Sequence, residues 1–223
     1  MDLTPAEVRV LGSLVEKERT TPEHYPLTSN ALIAACNQRT SRDPVTDYDE
    51  RTVDESMREL RQRGLARTVR GTGMRSYKHR HVLDEALGLS GPELAVIALL
   101  TLRGPQTPGE LRARTERYAG AIGSDIDATL AALAARTEPL VVNLGRAPGQ
   151  SQDRWAHLLS GTEAAAASGR AAPTTAFSGP LSPRPSGPSR LDELARTVER
   201  LEARLARLEQ ALGVEDDDGD PAG

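Results

Sequence analysis

Two segments of this chain, 86 residues apart, open with the same helix-start pattern, and that repetition limits the fold more than any other feature of the sequence. Thr4-Pro5-Ala6-Glu7 supplies an N-cap hydroxyl, a proline at the first helical position and a glutamate that can return the capping bond. Ser90-Gly91-Pro92-Glu93 repeats the arrangement. Behind each start, apolar residues recur at helical spacing: Val8, Leu11, Leu14 and Val15 in the first copy, Leu94, Ile97 and Leu100 in the second. Second helices begin at Thr28-Ser29-Asn30-Ala31-Leu32 and Thr107-Pro108-Gly109-Glu110-Leu111, an offset of 79. The first copy therefore carries extra residues between its first two helices, and the polar loop from Thr20 to Pro26 accounts for them. In the third helices, Val53, Met57 and Leu60 are matched by Ile126, Leu130 and Leu133, with the same four-then-three spacing that makes one apolar face.

A hairpin signal follows each third helix. Leu65 to Arg70 leads through Gly71-Thr72-Gly73 to Met74–Arg80, and Leu140 to Leu144 leads through Gly145 to Gly149 and on to Arg154–Leu159. Three helices and a hairpin, in that order, spell a winged helix, with the second and third helices as a helix-turn-helix and the hairpin as the wing. The expected fold class is mainly α with small β-hairpins (α+β): tandem winged-helix domains over residues 1–88 and 89–160. Residues 161–188, rich in Ala, Ser, Gly and Pro, read as a disordered linker. From 189 to 213 an a/d stripe of Leu191, Leu194, Val198, Leu201, Leu205, Leu208 and Leu212 reads as a coiled-coil helix. So short a helix needs a partner, and self-association through the heptads is expected. Residues 214–223 form an acidic tail.

Composition narrows the function. Aromatic residues make up only 3% of the chain, so the cores must be aliphatic. Cys36 is the sole cysteine, which excludes an internal disulfide. The chain opens on a capped helix rather than a signal-peptide pattern, and its longest apolar run, Leu94 to Leu100, is far below the roughly 20 residues that a membrane-spanning helix requires. A cytoplasmic protein without membrane contact is expected. The net charge of -4 would disfavour nucleic acid, but it is unevenly spread. Residues 1–88 hold 14 basic and 14 acidic side chains, 89–160 hold 7 of each, and the acidic excess lies beyond 160.

Several strings resemble the YceH family of bacterial proteins: Leu14-Val15-Glu16-Lys17, Thr20 to Leu27, Ala35-Cys36-Asn37-Gln38-Arg39, Arg42-Asp43-Pro44-Val45, and Leu102 to Arg112. The resemblance covers about residues 2–160 and implies a tandem winged-helix fold. It implies no catalytic residues, and it leaves the linker, heptads and tail as an added C-terminal extension.

Catalytic chemistry is hard to find. The four histidines lack metal-ligand spacing with carboxylates or a thiol; His79 and His81 could share a strand face, but flanking arginines would repel a cation. Gly71-Thr72-Gly73 is too short to cradle a phosphate. Cys36 reads as a buried thiol. Neither an enzyme activity, a cofactor nor a metal is expected. What stands out is charge: Arg58, Arg61, Arg63, Arg67, Arg70, Arg75, Lys78 and Arg80 face a single acid, Glu59, giving +7 over the end of the third helix and the first wing. Guanidinium groups suit phosphate oxygens, so these eight residues are the candidate nucleic-acid contacts and DNA the expected partner, in a regulatory or architectural role. Against this, Asp47, Asp49, Glu50, Asp54 and Glu55 crowd the start of the third helix, where base-reading residues usually sit. The alternative is a protein-interaction scaffold with an unidentified protein partner. The polar segment Asn37 to Pro44 suits either contacts to a partner or satisfaction of backbone groups in a long connection.

Overall fold

The computed structural model describes residues 1–70, 77–146 and 150–170, the last three as backbone. The turn Gly71-Thr72-Gly73, Arg75, most of the expected linker, the heptad residues Leu191 to Leu212 and the acidic tail lie outside the described residues. The described part is α+β, with small antiparallel sheets.

The first copy begins with α1 (Pro5–Thr20), whose capping box closes as its sequence dictates: Glu7 N donates to Thr4 Oγ1 at 3.2 Å and Thr4 N donates to Glu7 Oε2 at 3.1 Å. A 3-10 turn (Pro22–His24) uses up the extra residues and leads into β1 (Leu27–Thr28), α2 (Ser29–Cys36) and α3 (Glu50–Gln62). The hairpin β2 (Ala66–Arg70) and β3 (Tyr77–His81) follows, and then a short α4 (Leu83–Leu87). The second copy repeats the plan with α5 (Gly91–Arg103), α6 (Pro108–Thr115), α7 (Ile126–Ala134), β4 (Val141–Asn143), β5 (Trp155–His157) and α8 (Gly161–Arg170). The four-then-three triads of α3 and α7 are all buried, between 0% and 2% exposed.

Sheet register fixes which hairpin residues share a face. In the order β1-β3-β2, Thr68 pairs with His79, Arg67 with Arg80, and Arg70 with Tyr77. Because cross-strand partners project to the same side, Ala66, Thr68, Arg70, Tyr77, His79 and His81 lie on one face, and Arg67, Val69, Lys78 and Arg80 on the other. Leu27 pairs with His79 and joins the first, inward face. The second copy has the equivalent contact as a single bridge, Gln106 to Trp155, with Gln106 lying 79 residues after Leu27. Neither β1 nor this bridge is expected from the sequence, since one or two residues carry no alternation to read.

A continuous hydrophobic cluster runs through both copies, within the compact unit Met1–Pro173. Its axis is the pair α1 and α5. Residues Glu7 to Glu16 of α1 and Leu94 to Leu102 of α5 are buried without interruption, so each helix is covered on all sides. Gly12 makes the crossing possible: a Cβ there would stand 2.4 Å from Thr101 Oγ1 and 3.1 Å from Leu102 Cγ. The ends of the two helices are held reciprocally. Asp43 N, from the first copy, donates to Leu102 O at the end of α5, and Ala119 N, from the second, donates to Arg19 O at the end of α1.

Residues Gly161 to Arg170 differ from the expected disordered linker, for they form α8. Glu163 and four consecutive alanines, Ala164 to Ala167, have high helix propensity, and Ala165 is buried. The helix follows directly on the point where Leu3 N donates to Leu159 O, which joins the start of the first copy to the end of the second.

Candidate functional site

A cleft of about 1030 Å³ opens between α3 and the inward face of the first hairpin. Its helical wall carries Asp49, Glu50, Asp54 and Glu55 against Arg51, Arg58 and Arg61, and Ser29, Thr68 and His79 lie on the opposite side. Asp49 is there because α3 needs a cap: its carboxylate accepts from Thr52 N at 2.9 Å, and the hydrogen bonds from Thr52 hold it below the usual carboxylate range. Glu55 pairs with Arg51 at 2.9 Å across one turn. The first half of α3 and its cap therefore carry four carboxylates, Asp49, Glu50, Asp54 and Glu55, against the single guanidinium of Arg51.

The eight basic residues expected to form one patch are distributed around the hairpin. Arg58 leans on Glu59 at 3.4 Å, and Arg61 reaches Thr68 on the cleft side. Arg70 stacks over Tyr77, 5.6 Å from the ring centroid, on the same face. Arg67, Lys78 and Arg80 lie on the opposite face, where Arg67 and Arg80 bind the same carboxylate, Glu85 of α4, at 3.2 and 2.9 Å. Arg63 is exposed at the C-cap of α3, and Arg75 is outside the described residues. The linear excess of +7 thus divides between two surfaces, and Glu85, five residues beyond the segment, offsets part of it. Strand alternation, readable from the sequence, carries the signal for that division.

The histidines support the fold here. His79 Nε2 lies 3.0 Å from Ser29 Oγ and Nδ1 lies 3.3 Å from Thr68 Oγ1; burial lowers its pKa. His81 is 1% exposed. Its Nδ1 accepts from Leu83 N at 3.2 Å, which leaves Nε2–H to donate to Glu18 Oε2 at 2.8 Å. Burial pushes the Glu18 carboxyl up, but the bond to His81 holds it below its ordinary range. His81 N also donates to Tyr25 Oη at 2.7 Å, which secures the polar loop against the wing. Burial raises the Cys36 thiol to about 11, far from a reactive thiolate. Among the described residues no group of three His, Cys, Asp or Glu side chains could hold a metal ion.

In the Asn37–Pro44 segment, Asn37 and Arg42 turn inward, while Arg39, Thr40, Asp43 and Pro44 stay exposed. Asn37 Nδ2 donates to Tyr48 O, and its Oδ1 accepts from Tyr48 N, both at 2.8 Å. Arg9 donates to Cys36 O and Pro44 O, and Arg42 to Ala35 O. Arg42 also meets Glu16 at 2.5 Å, and Glu16 in turn meets Arg117 of the second copy at 2.9 Å. Sequence reasoning missed this link because Glu16 and Arg117 lie 101 residues apart.

Residues 3–150 match a family model described as "Protein of unknown function, DUF480". The chain belongs to the DUF480 family. UPF0502 proteins are its relatives. One from Opitutus terrae is 51% identical over 162 residues, which cover 72% of this chain and 70% of the relative. One from Geobacter sulfurreducens is 47% identical over 172 residues, 77% of this chain and 78% of the relative. A third, from Pelobacter propionicus, is 44% identical over 215 residues, 95% of each chain. The YceH resemblance holds, since YceH is this same family. The last alignment also corrects the reading of the C-terminal region as an extension outside the resemblance: some DUF480 relatives align across it. No helix among the described residues is long and apolar enough to cross a membrane.

Proposed function

We propose that this DUF480 protein is a non-enzymatic tandem winged-helix adaptor that binds a protein partner through the cleft between α3 and the first wing. The observation that carries the reading is the set of four carboxylates on the α3 wall, Asp49, Glu50, Asp54 and Glu55, where a DNA-reading helix would need donors for bases and phosphates. Glu50 is exposed and Glu55 half-exposed, so both meet any ligand that enters. Tyr77, 59% exposed at the cleft edge, adds an aromatic contact of the sort enriched at protein interfaces. Self-association through the heptad residues and a cytoplasmic location belong to the same reading.

A photo-cross-linking side chain in place of Arg51 tests it in cells. A discrete protein adduct that survives nuclease, and disappears when Glu50 and Asp54 are both changed to Lys, is the expected result. A second reading is favoured by one observation: Arg67, Lys78 and Arg80 share the outer hairpin face, which suits phosphate contact without base reading. Duplex DNA of random sequence, titrated at about 50 mM salt, separates the two, since phosphate contacts are strongest at low salt. Saturable binding that is lost when Arg67, Lys78 and Arg80 become Glu, with no cross-linked protein, would overturn the adaptor in favour of DNA.

A further inference from the structure

At the base of the first wing, four elements meet around one imidazole. His81 of β3 has a side chain 1% exposed, and a charged or ionisable group faces it from each neighbour. From α1, Glu18 Oε2 lies 2.8 Å from Nε2, with Arg19 Nε 3.5 Å from the same carboxylate oxygen. From the polar loop, the Tyr25 ring stands 6.2 Å away between centroids. From α4, Asp84 Oδ1 lies 3.7 Å from Nδ1, and on β3 itself Arg80 Nε donates to His81 O. That Asp84 oxygen is buried and accepts no hydrogen bond among the described residues. It stays unused because Nδ1 is itself an acceptor, taking the Leu83 N–H at 3.2 Å. Leu83 is the first residue of α4, and Val82 before it supplies no side-chain cap, so His81 caps this helix instead. With five residues, α4 is too short to persist without such contacts. It carries Glu85, which holds Arg67 at 3.2 Å and Arg80 at 2.9 Å.

The geometry points to a proton-operated clamp, in which His81 sets whether α4 holds the arginines of the first wing. A neutral imidazole has one donor and one acceptor, and here both are in use. Protonation makes Nδ1 a donor. It can then no longer accept from Leu83 N, and Asp84 Oδ1 is the oxygen placed to receive its proton. Closing that gap of 3.7 Å to a charge-assisted hydrogen bond moves Asp84 by roughly 1 Å. Nε2–H donates to Glu18 in both states, so the ring stays anchored on α1 and the change falls on α4. Glu85 follows Asp84 in the chain, and a first turn that shifts to seat Asp84 loosens the grip of Glu85 on Arg67 and Arg80. Glu18 and Asp84, with side chains 28% and 36% exposed, connect the buried ring with solvent and balance the charge that it gains. As pH falls, the clamp frees two guanidinium groups on the outer hairpin face. It goes beyond the adaptor reading and rests on nothing that enters the cleft.

NMR of the full chain between about pH 8 and 5, the range in which histidines titrate, tests the proposal. Nitrogen shifts of the imidazole should show Nδ1 of His81 gaining a proton. With the same midpoint, the protection factor of the Leu83 amide should fall about fivefold, the loss typical of one hydrogen bond. The Nε–H signals of Arg67 and Arg80 should shift at that midpoint too. Asp84→Asn leaves no negative oxygen to receive the Nδ1 proton, so the Leu83 step should move to lower pH. His81→Gln should abolish the step; if that variant does not fold, Asp84→Asn, changed at a partly exposed side chain, carries the test. A Leu83 amide that stays protected while His81 takes up its proton overturns the proposal. So does a His81 Nδ1 that remains unprotonated throughout, or a Leu83 step at the same pH in the wild type and in Asp84→Asn. Arginine signals that ignore the Leu83 step sever α4 from the wing and overturn the clamp as well.

Discussion

Gly12 shows how much one missing carbon permits. The close approach of α1 to α5 leaves no room for a Cβ, so Gly12→Ala should destabilise the protein by about 1–3 kcal/mol, the usual cost of overpacking, measured by urea unfolding. Thr101→Ala removes the atom in closest conflict, and the pair of changes should cost less than the sum of the singles. Strict additivity would place the strain elsewhere. Glu16 predicts a larger effect. Glu16→Ala strands the buried Arg42 guanidinium and should cost about 3–5 kcal/mol. His157 gives a pH dependence. Burial lowers its pKa to about 4, and its Nδ1 has no partner. The unfolded chain therefore binds this proton first, and stability falls as pH drops from about 6.5 toward 4. His157→Gln should flatten that limb, and NMR should place the imidazole titration near 4. A limb unchanged in the variant would assign it to other groups. Residues such as these are hardly legible in a sequence: Glu16 reads as an ordinary charged helix position, and only the approach of Arg117 and Arg42 makes it central.

At the scale of elements, the sequence is far more informative, because caps and periodicity are local. Thr4, Ser90 and Thr107 each begin a helix with a glutamate three residues on, and each glutamate carboxylate accepts from its cap residue's backbone N–H. Thr107→Ala should cost about 1 kcal/mol through α6, read as a lower Tm; no change would mean that tertiary packing alone holds the helix start. The triads of α3 and α7 were equally readable, since a buried helical face imposes its spacing on any sequence that forms it. The failures have a common physical origin. β1 is too short to alternate, and α8 arises from alanine propensity in a stretch whose overall composition resembles a linker. In the basic segment, a count along the chain adds charges that a strand sends to opposite faces. The register Arg67 to Arg80 and Arg70 to Tyr77 separates them, and Glu85 then bridges the first pair.

Across the described residues, the repeat leads one to expect two separate domains, whereas the buried residues from α1 to β4 form one interior. Residues such as Ala95, Val96, Ala98 and Leu99 fill every side of α5, which a helix serving only its own copy would not require. Separate expression of residues 1–88 and 89–170 should therefore yield fragments that aggregate alone and regain a cooperative melt when mixed, followed by circular dichroism. Two fragments that each melt cooperatively in isolation would contradict a common interior. The reciprocal clasp, with Asp43 holding the end of α5 and Ala119 the end of α1, has a consequence for recognition. Two beads on a string can swivel to suit whatever they meet; two halves bolted to one axle cannot. A molecule that touched both hairpins would have to match their separation from the outset, because the shared axis leaves neither half free to adjust.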